Sequence, residues 1–175
     1  MHALVAAASG VLLVIATAGV ASAKTVSDQK YAEAYCSAFE DALASLDDIE
    51  TEAQSSSDAG AFQATALTGI DSVLASLEGD AAKLQKLSPE DGGKKAAKVF
   101  DEALAGFSAG IQTARDEFAA VDPGSGAFSE ATGTLLVAVV GAADGFDAPL
   151  SELGKHKDLR RAVGRSCDIV RVTRS

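Results

Sequence analysis

The sequence predicts an all-α protein, an up-down-up-down four-helix bundle whose fourth helix is broken near Pro149 and whose first and last helices are joined by a disulfide, Cys36–Cys167. Three observations predict it. Apolar residues recur at steps of three and four through most of the chain, as one buried helix face requires. Turn-forming clusters, "SSSDAG", "SPED" and "DPGSG", divide that pattern into segments of bundle-helix length. The only two cysteines fall in the first and last of these segments.

The opening stretch "MHALVAAASGVLLVIATAGVASA" has no charged side chain before Lys24. Its apolar core, Val11 to Val20, has the length of a signal-peptide h-region, and Ala21, Ser22 and Ala23 supply the small residues of a cleavage site. Residues 1–23 read as a signal peptide cleaved after Ala23, which leaves 24–175 as a single domain, exported and secreted. The positive n-region is thin, with only the start amine and His2. An uncleaved membrane anchor is the competing reading, because about 20 apolar residues can just span a bilayer.

Helix one is expected from Ser27 to about Gln54, with Tyr31, Tyr35, Ala38, Phe39, Ala42, Leu46, Ile49 and Ala53 on one face and Cys36 at its edge. Helix two runs from Asp58 to about Leu87 through Phe62, Ala66, Ile70, Val73, Leu77, Ala81 and Leu84, with Gly69 and Gly79 as weak points. In "SPED", Ser88 can cap, Pro89 suits the first helical position, and Asp91 complements the N-terminus of helix three. The stripe of helix three is Ala96, Phe100, Ala103, Phe107, Ile111, Ala114, Phe118 and Val121, and Gly106 with Gly110 offers a close approach to a neighbour, a locally weak helix being the alternative. After the turn Asp122 to Gly126, the segment Phe128 to about Phe146 is apolar nearly all round and too short for a membrane span, so it reads as the most buried helix. Pro149 interrupts it. The last segment, about Ser151 to Val172, turns Leu153, Leu159, Val163, Cys167 and Val170 inward.

Export makes an even number of cysteines read first as a disulfide, with two buried free thiols as the alternative. Zinc would need two or more further ligands, and His156 is the single histidine after Ala23. Closing a loop of about 130 residues removes unfolded-state entropy worth about 5 kcal/mol in the chain-entropy model. The link also selects the topology. Bundle helices of this length span about 40 to 50 Å. If the segments flanking Pro149 were antiparallel, Cys167 would end far from Cys36, whereas a disulfide needs α-carbons within about 7 Å. One broken, descending helix brings Cys167 down beside helix one.

The hydrophobic fraction, 47%, is built from Ala, Leu and Val, with no Trp; without Asn there is no N-glycosylation acceptor. Net charge is −10; residues 24–151 carry 8 basic and 22 acidic side chains, residues 152–175 carry 7 and 3. An acidic body argues against nucleic acid as a partner. No P-loop, dinucleotide fingerprint, zinc-protease or serine-hydrolase motif occurs. No catalytic, cofactor-binding or metal-ligating set emerges, and the chain reads as a non-enzyme without a cofactor. His156 sits in the solvated run "GKHKDLRR". Tyr31 and Tyr35, one turn apart, read as core-edge packing. Glu40, Asp41, Asp47, Asp48, Glu50 and Glu52 read as a solvated helix face, since a calcium site needs a loop that wraps oxygens around the ion. The basic segment Lys155 to Arg174 reads as complementing the helix C-terminus and acidic helix one, with anionic lipid or cell-wall polymer as the alternative.

A first helix with "YCSAFEDAL", Ala-rich middle helices and a closing "LRRAVGRSC" resembles the small secreted helical proteins with two cysteines found in actinobacteria. That group is largely uncharacterised, so the resemblance implies an exported helical domain and no activity. Plant pectin-methylesterase and invertase inhibitors are also small, secreted, disulfide-bearing bundles, but this chain lacks their cysteine pattern. The expected function is therefore an exported interaction or cell-envelope protein with a protein or polymer partner and no stable membrane insertion after cleavage. The alternative is a carrier of a small apolar ligand in the bundle core.

Overall fold

The computed structural model describes residues 23–142, 151–152 and 155–167. The expected signal peptide, apart from Ala23, the break at Pro149 and the inward positions Leu153 and Val170 lie outside the described residues. The elements in order are β1 (Lys24–Val26), α1 (Asp28–Gln54), α2 (Ala59–Leu84), β2 (Leu87–Pro89), α3 (Gly93–Ala119), α4 (Phe128–Ala142) and α5 (Lys157–Ser166). The chain is mostly helical, and Cys36 and Cys167 are disulfide-bonded with α-carbons 5.1 Å apart.

Local chemistry sets the helix starts. The Ser27 hydroxyl accepts from the Lys30 N–H at 3.3 Å, and Asp28 places a carboxylate in the first turn of α1. Asp58 caps α2 by accepting from the Ala61 N–H at 2.9 Å. Between α3 and α4 the Asp122 carboxylate accepts from the Gly124 N–H at 2.8 Å, forming the expected turn.

"SPED" does something else. Leu87–Pro89 is extended and pairs in parallel with β1, Val26 lying opposite Pro89. Pro89 disfavours helical backbone at Ser88 and can donate no helical hydrogen bond, so the segment leaves the helix and finds a strand instead. α3 begins only at Gly93, after Gly92 and Gly93 take φ of 86° and 51°. A side chain at Gly92 would be strained there, and its Cβ would lie 2.8 Å from the His156 ring.

The parallel strands put the starts of α1 and α3 at one end of the molecule, here called the foot. The opposite end holds the start of α2 and the end of α3, where the Gln63 amide donates to the Phe118 and Val121 carbonyls at 2.9 and 2.8 Å. α1 packs on α2 and α5, and α3 packs on α2 and α4. The predicted stripes form the core. Tyr31 and Tyr35 stand edge-on to Phe100 with centroids 5.7 and 4.5 Å away, Phe39 meets Phe107 at 4.8 Å, and Phe118 meets Phe128 at 5.4 Å. Each buried aromatic adds a large hydrophobic contribution plus about 0.5–1.5 kcal/mol per ring pair.

Among the described elements α4 packs mainly on α3, with Leu135 buried and Val137 72% exposed; the expectation that its apolar run is the most buried helix falls largely on side chains outside the described residues. One expectation about packing needs correction. Gly106 faces open space, whereas Gly69 admits α1: a Cβ there would fall 2.7 Å from Ile49 Cδ1. α5 is shorter than the expected helical segment, with Leu159, Ala162 and Val163 buried.

The glycines of α2 separate packing from propensity. Gly69→Ala is expected to destabilise by about 1–3 kcal/mol through overpacking against Ile49. Gly79→Ala, with nothing near its Cβ, should stabilise by about 0.5–1 kcal/mol through helix propensity. Urea unfolding of the two variants should show midpoints moving in opposite directions.

Candidate functional site

The foot carries the densest polar constellation among the described residues, and it is organised around Asp91. Its N–H donates to the Asp28 carboxylate of α1 at 2.8 Å. Its own carboxylate faces α5: Oδ2 accepts from the Asp158 N–H at 3.0 Å, and Oδ1 lies 3.0 Å from His156 Nδ1. His156 is the N-cap of α5 but makes no capping bond with its side chain. Asp91 therefore caps α5 from another element, in place of the expected role at the start of α3.

The other ring nitrogen, Nε2, lies 3.2 Å from Glu152 Oε1, and Lys155 Nζ donates to Glu152 Oε2 at 2.7 Å. The Glu152 side chain is 6% exposed and the His156 side chain 19%, so the sequence reading of His156 as fully solvated is corrected. Its neighbours Lys155, Lys157 and Asp158 are indeed exposed; the ring is covered because Gly92 has no side chain. Asp91 ionises below the ordinary carboxylate range, chiefly through the Asp158 N–H and then His156. Glu152 is lowered as well, first by Lys155 and then by His156.

The arrangement works as a clamp: the His156 ring bridges Asp91 and Glu152 through its two nitrogens and ties the start of α5 to the segment that precedes α3. At the other end of α5 the Gln29 amide donates to the Ser166 hydroxyl at 2.9 Å, beside the disulfide. Both ends of this ten-residue helix are thus tied to the foot. Among the described residues no group of three or more His, Cys, Asp and Glu side chains is placed to hold a metal ion.

A second cluster lies between α1 and α3. Tyr31 and Tyr35 are buried, as core-edge packing requires, and burial first, then nearby charge including Asp101, raises both phenols. Asp101 is half-buried, its Oδ1 has no hydrogen-bond partner among the described residues, and its carboxyl is pushed up to about 6 by burial and then by Glu102. The sequence pattern offered no signal for this, because Asp101 follows Phe100 as an ordinary off-stripe residue.

The acidic side chains of α1 behave as a solvated face: Asp41, Asp47, Asp48 and Glu52 are exposed. A groove of about 260 Å³ lies between α3 and α4 rather than inside the core, lined by Ala114, Phe118, Ala131 and Leu135 with Glu117 and Glu130. Comparisons with known protein families, curated proteins and solved structures find no match.

Two carboxylates should move stability in opposite directions with pH. Asp91 is depressed in the folded state, so its contribution is present above the ordinary carboxylate range and lost as pH falls through its folded value. Asp91→Asn should lower Tm at neutral pH and make the acid limb shallower; parallel pH profiles for parent and variant would refute the clamp. Asp101 is raised, so the protonated carboxyl is favoured and stability declines as pH rises from the ordinary carboxylate range to about 6. Asp101→Asn should remove that decline and gain about 1 kcal/mol near neutral pH, after discounting for solvent screening. Thermal unfolding across a pH series measures both.

Proposed function

We propose that this chain is an exported, non-enzymatic interaction protein of the cell envelope or the extracellular space. It offers a rigid helical surface to a protein or polymer partner. Residues 1–23 act as a signal peptide cleaved after Ala23, and 24–175 fold as one domain. The observation that carries the reading is the Cys36–Cys167 disulfide, which bridges 131 residues and belongs to oxidising compartments. No helix among the described residues is long and apolar enough to cross a membrane.

The same reading includes a four-helix up-down-up-down arrangement whose fourth position is shared by two segments. α1 packing against α2 and α5, and α3 against α2 and α4, support it. So does the parallel pairing of the strands that lead into α1 and α3.

Intact-mass analysis tests export. Protein recovered from the culture fluid should begin at Lys24 and weigh two hydrogens less than its reduced form. A cytosolic chain with its N-terminus intact and both thiols free would overturn the proposal. Cross-linking in the extracellular fraction should yield a partner adduct, and a monomer that never cross-links would count against an interaction role.

A second reading, a carrier of a small apolar ligand, is favoured by the groove between α3 and α4. An environment-sensitive apolar dye should bind there and be displaced in Ala131→Trp. A dye that never binds removes this reading.

A further inference from the structure

Apart from Arg115, lysine and arginine are confined to three short parts of the sequence. Residues 31–82 contain no cation and 11 carboxylates, and residues 99–154 contain one cation, Arg115, and 9 carboxylates. The other cations lie in 24–30, 83–98 and 155–175. The fold gathers the described portions of these three stretches at the foot: β1 pairs with β2, Asp91 joins Asp28 to α5, and the disulfide returns the end of α5 to α1. Arg115 sits on the body of α3 and is already held by Asp71 and Asp116 at 2.9 and 3.1 Å. Basic and acidic surfaces are therefore segregated along the molecule.

Several of the foot's carboxylates are occupied. Asp28 receives the Asp91 N–H, Asp91 faces α5, and Glu152 is held by His156 and Lys155. Asp158 and Asp80 pair with Arg161 and Lys83. Lys30, Lys86, Lys94, Lys95, Lys157 and Arg160 are exposed and form no ion pair among the described residues. Lys94 and Lys95 follow closely on Asp91 and Gly92, which lie against Asp158 and the His156 ring, so the cations at the start of α3 lie near the start of α5. These exposed cations stand on the elements that meet at the clamp, whose own carboxylates are already engaged.

We infer that the foot is a docking surface for a linear anionic polymer bearing phosphate or carboxylate groups, with Lys94, Lys95, Lys157 and Arg160 as its principal contacts. The inference deepens the exported-interaction reading and rests on it. A polymer neutralises several cations at once and releases its condensed counterions, while the acidic body repels the same chain and so orients the encounter. A membrane is less suited. The strongly exposed large apolar side chain among the described residues, Val137, lies on α4, so the described foot presents no comparable side chain to bury in a bilayer.

The test is calorimetric titration of the oxidised, full mature chain with inorganic polyphosphate and with polygalacturonate, between about 50 and 200 mM salt. We expect binding to at least one polymer, with log K falling linearly in log salt. The polymer that binds identifies phosphate or carboxylate as the recognised group. Lys94→Glu/Lys95→Glu and Lys157→Glu/Arg160→Glu should each weaken binding at least about tenfold and flatten the salt slope by about one per cation removed. Lys94→Gln/Lys95→Gln should act in the same direction if charge reversal impairs folding. Asp47→Asn/Asp48→Asn on the acidic body should change affinity by less than about twofold.

Binding to neither polymer, or binding indifferent to salt and to the foot substitutions, would overturn the inference. Retention on phosphatidylglycerol vesicles with no polymer binding would assign the foot to a membrane instead. Salt-sensitive self-association weakened by the same substitutions would assign it to the acidic body of a second copy. A protein partner cross-linked elsewhere, with both polymers inert, refutes the foot surface and leaves the exported-interaction reading standing.

Discussion

The covalent tie between Cys36 and Cys167 holds in place a helix that could not hold itself. α5 has ten residues, below the length at which an isolated helix is stable in water, and its own N-cap side chain makes no capping bond. Its apolar side, Leu159, Ala162 and Val163, is nonetheless buried. The disulfide keeps that side against α1 by removing the entropy of a very long loop from the unfolded chain, worth about 5 kcal/mol in the chain-entropy model. Asp91 supplies the missing cap, and Gln29 anchors the last residue. The shielded His156 ring and the contacts of Asp91 with α5 depend on α5 staying there.

The clamp and the tyrosine cluster show how position decides what a carboxyl does. Asp91 and Asp101 are ten residues apart on the same part of the chain. Asp91 meets backbone N–H groups at a helix start and an imidazole, all of which favour its charged form. Asp101 lies half-buried beside two phenols with an unbonded oxygen, and desolvation favours its neutral form. Their pH effects on folding oppose each other in adjacent windows, Asp91 below the ordinary carboxylate range and Asp101 from that range up to about 6, so together they favour a stability maximum near the ordinary carboxylate range.

Much of the fold was legible in the sequence because helix stripes and caps are local. The buried positions of α3 follow the three-and-four spacing from Ala96 to Phe118, and Ser27 and Asp58 cap where a helix start needs them. The two cysteines could be paired by counting and by compartment. What escaped were features set by a distant partner. "SPED" has the composition of a helix start, yet Ser88 and Pro89 become a strand because β1 lies opposite them. Asp91 looked like a charge complementing the N-terminus of the helix that follows it, and it caps one more than sixty residues later in the chain. Gly69 and Gly106 are both mid-helix glycines, and only the position of Ile49 tells them apart. His156, set among lysines and arginines, gave no hint of the pocket that the bare backbone of Gly92 makes for it.

Charge segregation is the least local property of all. Read along the chain, the cations form three unrelated groups, and only the last of them stands out as basic. Solubility asks for net charge and is met by the −10 total wherever the charges sit. Stability favours mixed signs, since like charges on neighbouring helix surfaces repel within a Debye length of about 8 Å. Neither requirement produces a body with 20 carboxylates and one guanidinium across residues 31–82 and 99–154. A disulfide that contributes several kcal/mol can offset the repulsion such a body carries. The same disulfide keeps the basic end together, so one covalent bond both permits the polarity of the molecule and positions the surface that the polarity distinguishes.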